Sequence, residues 1–357
     1  MKPTMEILER IKKNSEENKD EVFTRIYRYL LRPDIYFVAY QNLYSNNGAS
    51  TKGVDDDTAD GFSEAKIERI IKCLEDESYQ PKPFRRVYIK KPNGKMRPLG
   101  IPSFTDKLVQ EAVRIILEAI YEPIFMDTSH GFRPNRSCHT ALQSVKYEFR
   151  GARWFIEGDI KGCFDNINHN VLVSCINKKI KDARFTKLIY KFLKAGFVDD
   201  FVYNNTYSGC AQGGIISPLL ANIVLNELDH WVESQWQWSP ICKRNVRPEN
   251  GYRQAKKSNL KEMFIVRYAD DFRIYCRTKD TAERTMHAVI QWLRERLKLE
   301  ISEKKTRIIN VRNHYSDFLG FKMKVHRKGN KLVVISYIAD KNFDHKRQKL
   351  KTQAKRI

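Results

Sequence analysis

Two adjacent aspartates, Asp270 and Asp271, lie between the apolar runs Phe264-Ile265-Val266 and Phe272-Arg273-Ile274-Tyr275, and this constrains the chain more than any other feature. The pattern reads as a β-hairpin with Tyr268-Ala269-Asp270-Asp271 at its tip. Like charges side by side repel, so something cationic belongs between them. A hard divalent ion such as Mg²⁺ is the simplest choice, since it takes carboxylate oxygens and keeps sites for substrate phosphates. Taken alone, the same residues would also suit an ordinary polar turn on a solvated hairpin. The rest of the chain decides between the two.

At 357 residues the chain is long enough for two or three packed subdomains, and 41% hydrophobic residues suffice for a core. Sixty-five Lys and Arg against 43 Asp and Glu leave a net charge of +22, far beyond what solubility needs. The excess is spread along the whole sequence and implies a polyanionic partner, with nucleic acid the default. Seven cysteines (Cys73, Cys138, Cys163, Cys175, Cys210, Cys242, Cys276) form no CxxC pair and no cluster with histidine. They read as reduced thiols of a cytosolic protein, with zinc disfavoured. The segment from Met1 to Glu6 lacks a signal peptide's apolar core and no run reaches membrane-spanning length, so the expectation is a soluble intracellular protein with no membrane partner.

Helical spacing covers residues 5–31, and Ser63 is placed to cap a helix bearing Ile67, Ile70, Ile71 and Leu74. Val87-Tyr88-Ile89 and Met96 to Ile101 flank Pro92-Asn93-Gly94, a strong hairpin signal, and that hairpin is heavily cationic. Residues 105–122 read as an amphipathic helix stopped by Pro123, and Trp154 to Ile160 as a buried strand that carries Asp159 at its end. Ser217-Pro218 is a helix start with cap and N1 proline. Residues 281–298 form another helix; Ile308-Ile309 and Phe318 to Phe321 are short strands; Asp344 to Ile357 is a basic helical segment. Alternating strands and helices with the acids on a hairpin suit an α+β domain.

Nucleotide polymerisation needs carboxylates from separate strands around two metal ions roughly 3.5–4 Å apart, the protein supplying position and charge neutralisation. Asp159, Asp270 and Asp271 are the obvious set. Asp165, further along, reads as a cap or hydrogen-bonding residue.

In these residues the sequence resembles a reverse transcriptase, specifically one encoded by a bacterial group II intron (an intron maturase). The resemblance runs in order through nearly the whole chain. It takes in Asn47-Gly48 with Lys52-Gly53-Val54-Asp55, Ile89 to Pro102, Gly131-Phe132-Arg133-Pro134-Asn135-Arg136-Ser137 and Asp159 to Asp165. Ala211-Gln212-Gly213-Gly214 to Asn222, Arg267 to Asp271 and Phe318-Leu319-Gly320-Phe321 complete the series. The fold this implies is a right-hand polymerase of fingers and palm, the palm an antiparallel sheet backed by helices. Residues 1–80 would be an N-terminal extension and the start of the fingers, 81–150 fingers, 151–325 palm, and 326–357 the palm's end and a truncated thumb.

The resemblance also implies roles. Asp159, Asp270 and Asp271, with the carbonyl of Ile160, would hold two Mg²⁺ ions, Mn²⁺ being a substitute. Phe164 would be the steric gate against a 2′-hydroxyl; its bland alternative is a core aromatic, since Phe is so often buried. Gln212 and Gly213 would lie against the incoming nucleotide and template. Arg97 and one of Lys90 or Lys91, Lys90 by preference, would reach the triphosphate, although charge runs are usually solvated faces. Tyr268 would pack by the primer end, Arg133 and Arg136 would contact template, and Lys305 would protonate the pyrophosphate leaving group.

The implied partners are an RNA template, the parent intron RNA, a DNA primer or target and deoxynucleoside triphosphates, in a bacterial cytoplasm. A homodimer is compatible with the exposed helices but nothing requires it. Alternatives are a CRISPR-linked or other bacterial reverse transcriptase, or a non-catalytic RNA-binding splicing cofactor; retention of all three aspartates weighs against the last. Asp56 stands where the family commonly has glycine.

Overall fold

The computed structural model describes residues 2–46, 48–91, 94–149 and 151–354. Met1, Asn47, the turn residues Pro92 and Asn93, and 355–357, all used in the sequence reading, lie outside the described residues. The chain divides into two compact units: Met1–Phe125 with Gly162–Leu225 and Leu297–Leu299, and Met126–Lys161 with Asn226–Arg296 and Glu300–Ile357.

The first unit is built on the helix Phe104–Tyr121. Ser103 caps it by accepting from the Asp106 N–H. Leu108, Val109, Ala112, Val113, Ile116 and Ile120 are buried along it, and the helices Thr4–Glu17 and Pro33–Tyr44 pack there. Ser63 accepts from the Lys66 N–H and starts the helix Glu64–Glu75, as expected. The helix expected over 5–31 stops at Glu17. Residues 12–21 carry no large apolar side chain to extend the buried stripe, and the Asn18 side chain accepts from the Asp20 N–H instead. Phe23 then bridges Ile180 and a 3₁₀ turn spans Tyr27–Leu31. Strands β1 (Phe84–Lys90), β2 (Met96–Ile101), β4 (Phe197–Asp199) and β5 (Val202–Asn204) form a sheet in the order β2-β1-β4-β5. Only the β1–β4 pairing is parallel.

The second unit holds an antiparallel sheet in the order β6-β7-β3-β8: β3 is Trp154–Asp159, β6 Met263–Tyr268, β7 Asp271–Cys276 and β8 Arg307–Asn310. Its central strands are buried on both faces, which is why they read as apolar runs. Phe155 and Tyr275, paired across β3 and β7, are fully buried with ring centroids 4.7 Å apart. The helix Lys279–Trp292 packs on β3 and β7, and Trp292 stacks on Trp231 at 5.2 Å. A second sheet joins β9 (Ser316–Phe318), β10 (Phe321–Lys328) and β11 (Lys331–Ile338). Leu319 and Gly320, both at positive φ, make the tight turn between the first two. The helix Asp340–Ala354 follows. Strands, helices and antiparallel palm-type sheet make this an α+β fold. Among the described residues no helix is long and apolar enough to cross a membrane.

Candidate active site

Strand register brings the acids together. Asp159 ends β3 and Asp271 begins β7, and the two are paired partners. Facing residues of neighbouring antiparallel strands point to the same side of a sheet, so the carboxylates share a face. Tyr268 pairs with Asp271, which leaves Ala269 and Asp270 as the two-residue turn. The Ile160 N–H donates to the Asp270 carbonyl at 3.3 Å, and Ser302 donates its N–H to the Asp159 carbonyl at 2.7 Å. Asp159, Ile160, Asp270 and Asp271 thus meet at one end of the sheet's two central strands.

Each of the two facing carboxylates has its own cation. Lys305 Nζ lies 2.9 and 3.0 Å from the two oxygens of Asp159, and Arg273 Nη1 lies 2.5 Å from Asp271 Oδ1. Arg273 is itself held: its Nη2 donates to the Asp317 carbonyl, and its guanidinium sits 4.6 Å from the Phe318 ring centroid. The Phe318 block of the sequence therefore supports the acid site. Burial pushes the Asp271 carboxyl up to about 6, with Asp159 and Asp270 adding to the rise and Arg273 opposing it. Behind Asp159, the buried Glu157 accepts from Arg307 Nε at 2.7 Å and from the Ser316 hydroxyl at 2.7 Å. A cleft of about 380 Å³ opens here, walled by Arg273, Lys304, Lys305 and Arg307.

The family implied by the sequence generally uses divalent metal ions, so the fit can be judged. Among the described residues no three His, Cys, Asp or Glu side chains form a ready-made metal cage. The donor chemistry nevertheless suits a hard cation: only oxygens are offered, and Asp159 and Asp271 already draw positive charge from Lys305 and Arg273.

The same unit holds three more of the expected residues. Tyr268 lies beside the Cys138 thiol, and burial followed by that contact raises its phenol. Arg136 Nη2 donates to Asp127 Oδ1 at 2.6 Å. Arg133 is buried, and its Nη1 donates to the carbonyls of Met126 and Ser129 at 2.7 and 2.8 Å. It shapes its own loop, an arrangement a motif alone does not disclose.

The first unit holds the remaining set. Ile89 pairs with Arg97 and Lys90 with Met96, while the Lys91 N–H donates to the Lys95 carbonyl. Pleating puts Lys91, two residues beyond Ile89, on the face of Arg97, and Lys90 on the opposite one. Phe164 is half-buried on the short helix Cys163–Asn166, and its carbonyl accepts from the Cys210 N–H at 2.7 Å. Gln212 Nε2 donates to Asp165 Oδ2 at 2.9 Å, so Asp165 is a hydrogen-bonding residue, as expected. Gly213, at φ +106°, comes so close to β2 that a Cβ would lie 2.3 Å from the Gly100 carbonyl oxygen. The close approach that glycine permits here is therefore to the β1–β2 hairpin.

Sequence reading missed Arg273, Arg307, Arg267 and Asp229. The signal was present for two of them: a charged residue inside an apolar strand, as at Arg267 and Arg273, needs a buried partner.

Residues 89–323 match the family model "Reverse transcriptase (RNA-dependent DNA polymerase)". The group II intron-encoded protein LtrA of Lactococcus lactis subsp. cremoris is 54% identical, over 92% of this chain and 61% of its own. A 91 kDa protein in the cob intron of Schizosaccharomyces pombe is 39% identical over 82% of this chain and 40% of its own. Protein YkfC of Escherichia coli is 36% identical over 87% and 86%. The chain thus spans about three-fifths of the length of the LtrA protein it matches.

Proposed function

Because the chain belongs to the reverse transcriptase family, we propose that it carries the polymerising part of a group II intron-encoded enzyme that copies RNA into DNA and binds its parent intron RNA as a splicing maturase. The observation that carries the reading is the cross-strand pair Asp159–Asp271 with Asp270 at the adjoining turn. The likeness to LtrA over 92% of the chain supports the intron assignment, and the net charge of +22 supports the RNA partner.

In this reading Asp159, Asp270, Asp271 and the Ile160 carbonyl would hold two Mg²⁺ ions, or Mn²⁺ in their place. Bound there, the metals would supply Lewis acidity toward a primer 3′-hydroxyl and the phosphates of a deoxynucleotide. Arg273 orients Asp271, and Lys305, once released from Asp159, is the proton donor toward pyrophosphate. In the other unit Arg97 and Lys91 supply charge for the triphosphate; Lys91 displaces Lys90 because it shares Arg97's face. Phe164 discriminates against the 2′-hydroxyl, and Gln212, steadied by Asp165, sits with Gly213 against nucleotide and template. Arg136 contacts template, Arg133 shapes the loop that presents it, and Tyr268 meets the primer end. Residues 81–150 and 151–325 are assigned to fingers and palm.

Primer extension on an RNA template with Mg²⁺, comparing deoxynucleotides with ribonucleotides, tests the proposal. Extension with deoxynucleotides that Asp270→Asn abolishes is expected. Salt-sensitive binding of structured RNA with no extension would replace it with the splicing-cofactor reading.

A further inference from the structure

The turn that carries Asp270 is held in an unfavourable backbone conformation by a buried ion pair. Ala269 has φ +56°, in the left-handed region that a side chain with a Cβ enters at a cost. In two-residue hairpins that position is ordinarily glycine or asparagine. Here the conformation is fixed from outside. Arg267 is fully buried, and its Nη1 donates to the Ala269 carbonyl at 2.9 Å. Its Nε donates to both oxygens of Asp229 at 2.9 and 3.0 Å, and its Nη2 to Asp229 Oδ2 at 2.6 Å and to the Ser129 hydroxyl at 2.7 Å. Asp229 is equally buried, on the helix Ser217–Gln235.

The backbone completes the clamp. Arg267 donates its N–H to Thr128 at 2.8 Å and accepts from the His130 N–H at 2.9 Å. A Cβ on Gly131 would lie 2.4 Å from the Ala269 nitrogen, so the 128–131 segment passes directly against the turn. A buried ion pair is weak evidence for stability, since apolar residues of similar volume often serve the core as well. What leucine or methionine cannot do is reach the turn carbonyl while anchored to a second element. A guanidinium can, because its donors are fixed in one plane.

We propose that Arg267 and Asp229 are positioning residues, which lock the Ala269 carbonyl and thereby aim the Asp270 and Asp271 carboxylates. The proposal rests on the polymerase reading above. Its decisive variant is the double substitution Arg267→Met with Asp229→Leu, which removes the clamp without stranding a charge. Thermal unfolding is expected near that of the unmodified chain. kcat for primer extension should fall by about 100-fold, the scale of a small misplacement of catalytic groups, with KM for deoxynucleotide changed less than about threefold, as befits lost transition-state geometry. The Mg²⁺ concentration that half-saturates the thermal shift should rise, by about tenfold. Ala269→Gly in the same background should recover part of kcat, because glycine takes the left-handed turn without a clamp.

A double variant with unchanged kcat and unchanged Mg²⁺ midpoint overturns the proposal. If it does not fold, Arg267→Lys replaces it: that variant keeps the charge for Asp229 but cannot reach Ala269 as well, and unchanged kcat there is equally fatal. The unmodified chain and Asp270→Asn run alongside. Failure of the unmodified chain to extend any primer counts against the polymerase reading, and the clamp is then judged on the Mg²⁺ midpoint alone.

Discussion

Lys305 grips Asp159 through both carboxylate oxygens, at 2.9 and 3.0 Å, although the lysine side chain itself is 65% exposed. An ammonium in that position occupies the charge that a divalent ion would neutralise. An exposed pair of this kind contributes no more than about 1 kcal/mol. Lys305→Ala should therefore unfold at nearly the same temperature without metal, while the Mg²⁺ midpoint of its thermal shift drops by up to about fivefold. A midpoint that stays put or rises would show that the lysine does not compete for Asp159.

The pleat of the β1–β2 hairpin separates its two neighbouring lysines. Lys91 continues the face of Ile89 and Arg97, and Lys90 the face of Met96. A charge-assisted contact to phosphate is worth about 1.5–3 kcal/mol. Lys91→Ala should then raise KM for deoxynucleotide by tenfold or more, on the order that contact implies, and Lys90→Ala by much less. The reverse order in steady-state kinetics would mean that the hairpin presents its other face.

How much of this could be read beforehand depended on the range of the signal. The β6–β7 hairpin, the β1–β2 hairpin and the helix starts at Ser63 and Ser217 were legible, because alternation and cap chemistry are local. The break after Glu17 was less so, since the spacing of Val22, Phe23, Ile26, Tyr29 and Leu30 imitates a helix while Phe23 bridges Ile180 from across the unit. The β10–β11 hairpin had a readable signal in Phe321-Lys322-Met323-Lys324-Val325, which alternates well past the expected strand end. The clamp was out of reach, for Arg267 and Asp229 stand 38 positions apart and only the fold pairs them. Of the site, the acids, Lys305 and the oddity of arginines inside apolar strands could be seen, but the partners those arginines hold could not.

Phe164 gives a specificity test. It is half-buried rather than sealed in the core. Excluding one added hydroxyl by apolar bulk is worth about 1–3 kcal/mol, or 10–200-fold. Phe164→Ala should raise incorporation of ribonucleotides relative to deoxynucleotides by that order, with overall extension by deoxynucleotides retained. A ratio that does not move in single-nucleotide competition assays would return Phe164 to a packing role.

Two buried groups beside the clamp should impose opposite pH dependences on stability. Burial raises Glu233 to about 7 against an ordinary 4.5, with the nearby Asp229 adding and the Thr128 hydroxyl, which donates to it at 3.0 Å, opposing. Its folded form binds the proton more tightly than its unfolded form, so it costs stability as pH rises from about 4.5 to 7, on the order of 3 kcal/mol in all. Burial lowers His130 from 6.5 to about 4, with Arg136 and Arg133 contributing. That histidine resists protonation when folded and costs stability as pH falls from 6.5 toward 4. Between about 4.5 and 6.5 the two slopes oppose each other. Glu233→Gln removes one of them. Denaturant unfolding should find that variant more stable than the unmodified chain at pH 8, with the gap closing as pH falls to 4.5. A gap that stays constant across that range would mean that Glu233 is ionised in the folded protein throughout.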